Sequence, residues 1–248
     1  MLMTLVKNEF LKQKRNLLIF IIILIPVTIG ILLSIDYLIR YESWLLQLAK
    51  ERGMTSWQIL VKEQRMLYFN DFIPLFSAII IGELLEGEYK NNGWIFLLTK
   101  PIERWKVLLS KYIAGIIYLL IMIFTNIMTL ISLGKIFDFP ENIPWSYFFT
   151  MVIIQLVASA SIMMIHLYFS VKNKNVLISF GIAGVLSIIS SNFYYSENML
   201  RKINPYGFSL YSYTQGKEEQ FIIYSISCLL IIVGYIILNN YFKYKKEY

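Results

Sequence analysis

The chain has almost no cysteine or histidine: Cys228 is the single cysteine and His166 the single histidine among 248 residues. One cysteine cannot form a disulfide within the chain. One cysteine and one histidine cannot supply the ligands of a Cys/His zinc site. The composition therefore excludes a disulfide framework and a structural zinc cluster built from one chain, and it leaves the redox compartment open.

Charged residues are also scarce, at 16% of the chain against 57% aliphatic, aromatic and sulfur-containing residues. A soluble domain has difficulty keeping so much apolar surface away from water, so the composition predicts a protein of the lipid bilayer. The net charge of +7 comes from basic residues beside the ends of apolar segments. This distribution favours contact with anionic lipid headgroups, and no nucleic-acid partner is expected.

Six windows are apolar enough to cross about 30 Å of hydrocarbon as helices. They are residues 17–38, 67–85, 107–133, 145–170, 176–193 and 221–242. The second window is the least apolar because it contains Asn70, Asp71, Pro74 and Glu83, and four spans with buried segments is the alternative. The first window has no small-x-small cleavage pattern, so it is interpreted as an anchor. The predicted fold is an all-α integral membrane protein with one transmembrane domain over residues 1–248.

An even number of spans places both termini on one side of the membrane. Most of the 23 lysines and arginines lie in the N-terminal segment, the second and fourth connections and the C-terminal tail. The positive-inside rule therefore predicts that both termini are cytoplasmic. Residues 1–16 place Leu2, Val6 and Phe10 four apart. This spacing predicts a short helix in the cytoplasmic interface, with a frayed basic tail as the alternative.

Polar residues inside the windows have two interpretations, because buried polar groups at membrane depth are either paired or functional. For Asn126, Gln155 and His166 we expect hydrogen bonds between helices. Asp36 and Asp71 lie near the predicted outer ends of spans, so we expect ordinary solvated surface there.

Two further patterns carry packing predictions. Ser179, Ala183 and Ser187 recur every four residues, which predicts close approach by a neighbouring helix. The tyrosine-rich connection over residues 194–220, which includes Tyr206 and Tyr211, is typical of interfacial anchors.

A run of charge, glycine and proline between the second and third windows is the most informative segment. Glu83, Glu86 and Lys90 fall at helical spacing, so the second span is predicted to continue past the lipid and to end near residues 92–93. A short second helix is predicted to begin after Pro101. We call residues 86–106 the elbow. An amphipathic elbow at a membrane surface suits the docking of a soluble partner.

The same segment excludes some chemistry. Gly82 and Gly87 have the spacing of a phosphate loop, but Glu88 and Tyr89 stand where lysine and serine or threonine would contact phosphate and Mg²⁺. The paired glutamates resemble those of intramembrane proteases, which need further histidines for a metal. If ATP drives this protein, another chain binds it. Ionisable residues are nearly absent from the middle of the windows, which weakens an ion-coupled carrier.

The elbow resembles that of the type-two ATP-binding-cassette exporter permeases. Their loop after the second span runs from Glu through Gly-Thr to Leu-Leu, Pro-Ile-x-Arg and a later Lys. The matching residues here are Glu88, Gly93, Leu97, Leu98, Pro101, Ile102, Arg104 and Lys111, and Trp94 replaces the usual Thr. The interfacial helix, the six spans and Asn204-Pro205 before the last span extend the resemblance along the chain. Size and layout resemble small bacterial permeases for lantibiotic immunity, bacitracin resistance and phenol-soluble-modulin export.

The resemblance implies a homodimer or pseudo-dimer of permeases in a bacterial cytoplasmic membrane. It also implies two cytoplasmic ATPase subunits that bind ATP and Mg²⁺, with no cofactor in this chain and no enzyme activity of its own. The implied ATPase-coupling residues are Glu83, Glu86, Glu88, Gly93, Trp94, Pro101, Arg104 and Trp105. Glu88 and Arg104 are expected to make polar docking contacts, and Trp94, Phe96 and Trp105 to supply apolar area. The expected cargo is an amphipathic peptide; a hydrophobic drug, a lipid-linked cargo, an ion-coupled carrier and a membrane scaffold are the alternatives.

Overall fold

The computed structural model describes residues 1–13, 17–90, 93–99, 101–194, 196, 199–213 and 216–244, and all of its long elements are helices. The α-helices are α1 Leu2–Gln13, α2 Leu18–Arg40, α3 Leu46–Glu51, α4 Ser56–Met66, α5 Ile73–Lys90, α6 Gly93–Leu98, α7 Arg104–Ile136, α8 Trp145–Asn173, α9 Val176–Tyr194 and α10 Lys217–Tyr244. A π-helical stretch, Tyr41–Leu45, joins α2 to α3, and two 3-10 helices, Met199–Lys202 and Pro205–Tyr213, precede α10.

Five helices are long and apolar enough to cross a membrane within the described ranges. They are Leu18–Glu51, Arg104–Ile136, Trp145–Asn173, Val176–Tyr194 and Lys217–Tyr241. The first of these ranges is the continuous run of α2, the π-helical stretch and α3. Each matches one of the predicted windows, with helix ends that extend beyond the apolar residues. The predicted window 67–85 has no counterpart among these five, because α5 carries Glu83, Glu86, Glu88 and Lys90. A membrane-spanning role for α5 therefore stays a prediction.

The helix α5 lies inside the bundle, where it packs against α7, α8 and α9. Its buried positions include Ile73, Ala78, Ile81 and Leu85, which face these helices. The helix α8 also packs against α10, and α7 also packs against α1 and α2. Protein therefore covers most of α5, whereas α2, α9 and α10 expose long apolar faces. A covered helix tolerates more polar residues than one that faces lipid.

The start of α5 differs from the predicted window, since the helix begins at Ile73 and not at Leu67. Residues 67–72 form a turn in which Tyr68 adopts a positive φ of 57°. Pro74 lies in the first turn of the helix, where its missing N–H leaves no donor unsatisfied. The turn is held by Asn70, whose side chain bonds to Ser212 at 2.7 Å and to Gln155 at 2.8 Å.

The predicted hydrogen bonds between helices are confirmed for Asn126 and His166, whereas Gln155 bonds to Asn70 in the turn 67–72. The Gln64 amide donates to Asn126 at 2.6 Å, and Gln155 bonds to Asn70 as described above. The His166 ring lies 2.8 Å from the Ser179 hydroxyl and 3.0 Å from the Tyr206 hydroxyl. Ser179, Ala183 and Ser187 are all buried, as their spacing predicted.

Two expectations about the connections are wrong. Asp71 is buried at 5% exposure and is not solvated surface, because α9 covers the turn that contains it. Asp36 is partly exposed and pairs with Arg40 at 2.6 Å. Tyr206 and Tyr211 are buried and are not interfacial anchors, because the 3-10 helix Pro205–Tyr213 packs against α8 and α9.

Candidate functional site

The elbow joins the central helix α5 to the long helix α7. The helix α5 ends at Lys90, the short α6 follows from Gly93, and α7 begins at Arg104. The short helix therefore precedes Pro101, whereas the sequence predicted it after Pro101; the residues after Pro101 begin α7 instead. Residues 91–92 and 100, where part of the predicted elbow falls, lie outside the described residues.

A cluster of four charged residues lies beneath the elbow, with three of them buried and Lys12 exposed at its edge. The Lys111 ammonium donates to Glu9 Oε2 at 2.8 Å, to Glu88 Oε1 at 2.8 Å and to the Leu84 carbonyl at 2.9 Å. The Lys12 ammonium donates to Glu88 Oε1 at 2.5 Å and to Glu9 Oε1 at 3.1 Å. Lys111 has no exposed surface, and its three N–H donors all have partners. We call Glu9, Lys12, Glu88 and Lys111 the ion cluster.

The cluster forms because α1 turns one face toward α7. Val6, Glu9 and Gln13 recur at helical spacing, and all three are buried. Phe10 lies beside them, with its ring centroid 5.0 Å from that of Tyr118. Gln13 also donates to the Glu83 carbonyl at 3.3 Å. The helix α1 is thus attached to both α7 and the end of α5, next to the elbow.

The ion cluster contains two acidic and two basic residues, and their opposite charges determine the direction of the pKa shifts of Glu88 and Lys12. Burial alone would raise the pKa of Glu88, but Lys111 and Lys12 outweigh burial and hold this pKa below its usual range. Burial would lower the pKa of Lys12, but Glu9 and Glu88 keep this pKa above its usual value. Glu88 and Lys12 are therefore charged at neutral pH, and the cluster holds α1, α5 and α7 together.

Close packing on Glu88 explains why position 93 is a glycine. A Cβ atom on Gly93 would lie 2.1 Å from Glu88 Oε2 and 3.1 Å from the Glu88 Cα. The first residue of α6 therefore packs directly on the glutamate, and only glycine leaves enough room. Trp94 is buried next to it, with its ring centroid 6.0 Å from that of Tyr89. Tyr89 in turn donates to the Ser170 carbonyl of α8 at 3.0 Å.

The remaining predicted coupling residues lie nearer the surface. Pro101 is exposed, and Arg104 and Trp105 are half-buried. The Trp105 indole N–H donates to Glu103, which also pairs with Lys106 at 2.7 Å. These residues offer a surface for a partner, whereas Glu88 and Trp94 do not.

Glu83 and Glu86 lie on the last turns of α5 and are half-buried, with Glu86 paired to Lys90 at 2.8 Å. The side chain of Phe96 lies outside the described residues. The structure therefore packs Gly93 on Glu88 and buries Glu88 and Trp94, whereas Pro101 is exposed and Trp105 is half-buried. Their roles in ATPase coupling stay predictions.

Sequence reasoning missed the ion cluster, although one signal was present. Glu9 stands on the same helical face as Val6 and Phe10, and a charge on an apolar face is a sign of a buried partner. Lys111 was noted in the family pattern without a partner. A groove of about 440 Å³ borders the cluster between α1, α6 and α7. Within the described parts of the chain, no three His, Cys, Asp or Glu side chains are placed to hold a metal ion.

The fold is that of a multi-pass helical membrane protein in which α5 packs against α7 on either side of the elbow. A family model described as "ABC-2 family transporter protein" matches residues 5–190 of the 248. The chain belongs to this family, as a membrane component of an ABC transporter. Membership implies an ATPase partner and a surrounding lipid bilayer. A comparison with curated proteins gave no match.

Proposed function

We propose that this chain is the permease subunit of an ABC exporter for amphipathic peptides, driven by a separate cytoplasmic ATPase that contacts the elbow. The ion cluster carries this proposal. It ties α1, the end of α5 and the first turns of α7 to one another through charged hydrogen bonds. A displacement of the elbow by a partner is thus delivered to α5 and α7 together.

Two groups of elbow residues have different parts in the proposed coupling. Pro101, Arg104 and Trp105 are accessible and make the contacts with the ATPase. Glu88, Gly93 and Trp94 are packed beneath them and position the elbow, since Glu88 is buried and Gly93 has no room for a side chain. This division replaces the expected direct docking of Glu88.

The assembly is a homodimer of this chain with two ATPase subunits, in a bacterial cytoplasmic membrane with both termini in the cytoplasm. ATP and Mg²⁺ are held by the partner. Closure of the ATPases moves the elbows and opens a path outward. Long exposed apolar faces on α2, α9 and α10 are consistent with lipid or with a second copy around the bundle.

The test is ATP hydrolysis by the permease and its cognate ATPase, reconstituted together in lipid nanodiscs, with and without amphipathic helical peptides. We expect peptides to stimulate hydrolysis and Arg104→Glu to abolish the stimulation. Lys135→Glu is the matched control, because Lys135 is an exposed basic residue at the opposite end of α7, the helix that Arg104 begins. This control should retain full stimulation.

The other outcomes separate the alternative functions. A stable complex that ignores peptides but responds to drugs or lipids would move the cargo to that class. Transport driven by a proton gradient without the ATPase would indicate an ion-coupled carrier. ATPase binding without transport of any cargo would indicate a scaffold. Equal stimulation in wild type and Arg104→Glu would contradict the assigned contact.

A further inference from the structure

A second buried carboxylate, Asp71, lies at the other end of α5 and is not part of the ion cluster. Its Oδ1 accepts a hydrogen bond from the Ser191 hydroxyl of α9 at 2.5 Å. Its Oδ2 is buried and has no hydrogen-bond partner among the described residues. The residue is only 5% exposed, so this oxygen carries charge density without a donor from the described part of the chain.

Asp71 lines a cavity of about 310 Å³ between the start of α5 and the end of α9. Ser187 lines the same cavity, is 1% exposed, and also has a hydroxyl oxygen to which no described residue is hydrogen-bonded. Phe72 and Ile188 supply apolar walls, and Tyr68 stands at the rim. We call this cavity the Asp71 pocket. It combines two unsatisfied polar atoms with apolar walls, which is the usual composition of a small-ligand site.

The turn that presents Asp71 is fixed from two sides, so its burial is not accidental. Asn70 bonds to Gln155 and Ser212 through its side chain, and its carbonyl accepts from Ser209 at 2.7 Å. Tyr68 holds its place at the rim with a φ of 57°, which is unfavourable for a residue with a large side chain. A glycine would adopt this φ without strain, and the aromatic ring that stands here lines the cavity and is 55% exposed.

The charge around the pocket defines the ligand class. Arg65 interacts electrostatically with Asp71, but its guanidinium lies over the rings of Tyr194 and Tyr213, at 4.5 and 5.6 Å from their centroids. The second Asp71 oxygen accepts no hydrogen bond from any described residue, Arg65 included. A donor that carries positive charge forms the strongest bond with a carboxylate, and an aromatic rim adds attraction for a cation.

We propose that the Asp71 pocket binds a primary alkylammonium group, such as a lysine side chain of the cargo. The ammonium donates to Asp71 Oδ2 and Ser187 Oγ, the alkyl chain lies along Phe72 and Ile188, and the Tyr68 ring covers the entrance. At about 310 Å³ the cavity is at the small end of ligand pockets, so it accepts one side chain and not a folded peptide. Binding of the ammonium is independent of the proposed function, whereas its origin in a peptide cargo rests on it.

The test uses hexylamine as the probe and the purified permease without ATPase, in nanodiscs of phosphatidylcholine, a lipid that has no primary amine. Calorimetry should show binding of hexylamine and none of hexanol at the same concentration. Asp71→Asn keeps the shape of the side chain and should weaken the affinity about tenfold or more, because a charged hydrogen bond is removed. Asp138→Asn is the matched control, since Asp138 is an acid outside the pocket, and it should leave the affinity unchanged.

A second variant, Tyr68→Gly, tests the proposal even if Asp71→Asn disturbs folding. Glycine relieves the positive φ, so the thermal midpoint should rise or stay constant while the affinity for hexylamine falls. Equal affinity in wild type, Asp71→Asn and Tyr68→Gly would overturn the proposal, as would equal binding of hexanol.

The failure of this inference and that of the proposed function are distinguishable. Hexylamine binding that depends on Asp71, together with no peptide-stimulated ATP hydrolysis, would keep the site and reject the peptide exporter. Peptide stimulation that is unchanged by Asp71→Asn and by acetylation of the peptide's lysines, together with no hexylamine binding, would keep the exporter and reject the site.

Discussion

Glu88 and Asp71 lie near opposite ends of α5 and are equally buried, at 5% exposure each, but their surroundings differ. Glu88 has two lysine partners and belongs to a cluster with equal numbers of acids and bases. Asp71 has a hydroxyl partner, a more distant arginine and one oxygen to which no described residue donates. Both carboxylates line a cavity, but Glu88 is paired with two lysines, whereas Asp71 keeps one oxygen to which no described residue donates.

The difference follows from the cost of burying a charge. A buried carboxylate is tolerated when its lone pairs are used, and it is expensive when they are not. The paired end of α5 is therefore suited to hold helices in register, and the unpaired end is suited to accept a group from outside. A substitution of Glu88 should therefore mainly lower stability, whereas a substitution of Asp71 should mainly weaken ligand binding.

Removing the central lysine should have the largest effect. Lys111→Met leaves Glu9 and Glu88 buried with Lys12 alone, so we expect a loss of about 3–5 kcal/mol in the free energy of unfolding. The measurement is unfolding in mixed micelles with increasing sodium dodecyl sulfate. Lys90→Met is the control, because Lys90 is exposed and pairs with Glu86 on the helix surface, and it should change little.

A double substitution sharpens this prediction. Lys111→Met with Glu88→Gln removes one charge of each sign and leaves Glu9 paired with Lys12, 3.1 Å away. Part of the lost stability should return. If the double variant is as unstable as the sum of the two single variants, the cluster does not act as a unit.

The next largest effect is expected when a carboxylate is replaced by an amide, and its size should differ between the two ends of α5. Glu88→Gln should cost about 1.5–3 kcal/mol, because charged hydrogen bonds from two lysines are weakened. Asp71→Asn should change the unfolding free energy by less than about 1 kcal/mol, because a poorly paired charge is removed with little change of shape. The same micelle titration measures both. Equal losses would show that the two carboxylates have equivalent environments.

Gly93 tests the contact between the short helix and the cluster. A Cβ at this position meets Glu88, so Gly93→Ala should cost about 1–3 kcal/mol and reduce ATP-coupled activity. Gly87 is the matched control, because a Cβ added there would have no described atom within 4 Å outside its own helix turn. Gly87→Ala, within α5, should stabilise the protein by about 0.5–1 kcal/mol. Equal effects at both glycines would contradict the packing of α6 on Glu88.

The sequence predicts the positions of the helices better than it predicts which charged side chains pair between them. Apolar length alone located the helices that begin at Leu18, Arg104, Trp145, Val176 and Lys217, since lipid demands about 20 apolar residues. It placed the start of α5 six residues early, because apolar residues of the turn 67–72 look like part of a span. That turn is instead covered by the 3-10 helix Pro205–Tyr213 and by α9.

The site was only partly predictable for a related reason. The spacing of Glu88, Gly93 and Arg104 marked the elbow, because these residues are near one another in the chain. The partners of Glu88 are far away in sequence, with Lys12 76 residues and Lys111 23 residues distant. Local periodicity carries no information on which charges meet across helices. The burial of Asp71 was missed because it depends on Ser191, 120 residues away.

The smallest expected effect is a pH dependence that distinguishes the paired carboxylate. The pKa of Glu88 is lower in the folded protein than the ordinary 4.5, so the unfolded chain takes up a proton first as the pH falls. The stabilisation by Glu88 is therefore present at neutral pH and is lost as the pH falls toward the folded-state pKa. Between pH 7 and pH 4 this loss is less than about 1 kcal/mol, because protonation of the unfolded state bounds it. The unfolding free energy of Glu88→Gln should depend less on pH over this interval than that of wild type. Identical pH profiles would mean that the lysines do not hold Glu88 in its charged form, and the comparison between the two ends of α5 would lose its electrostatic basis.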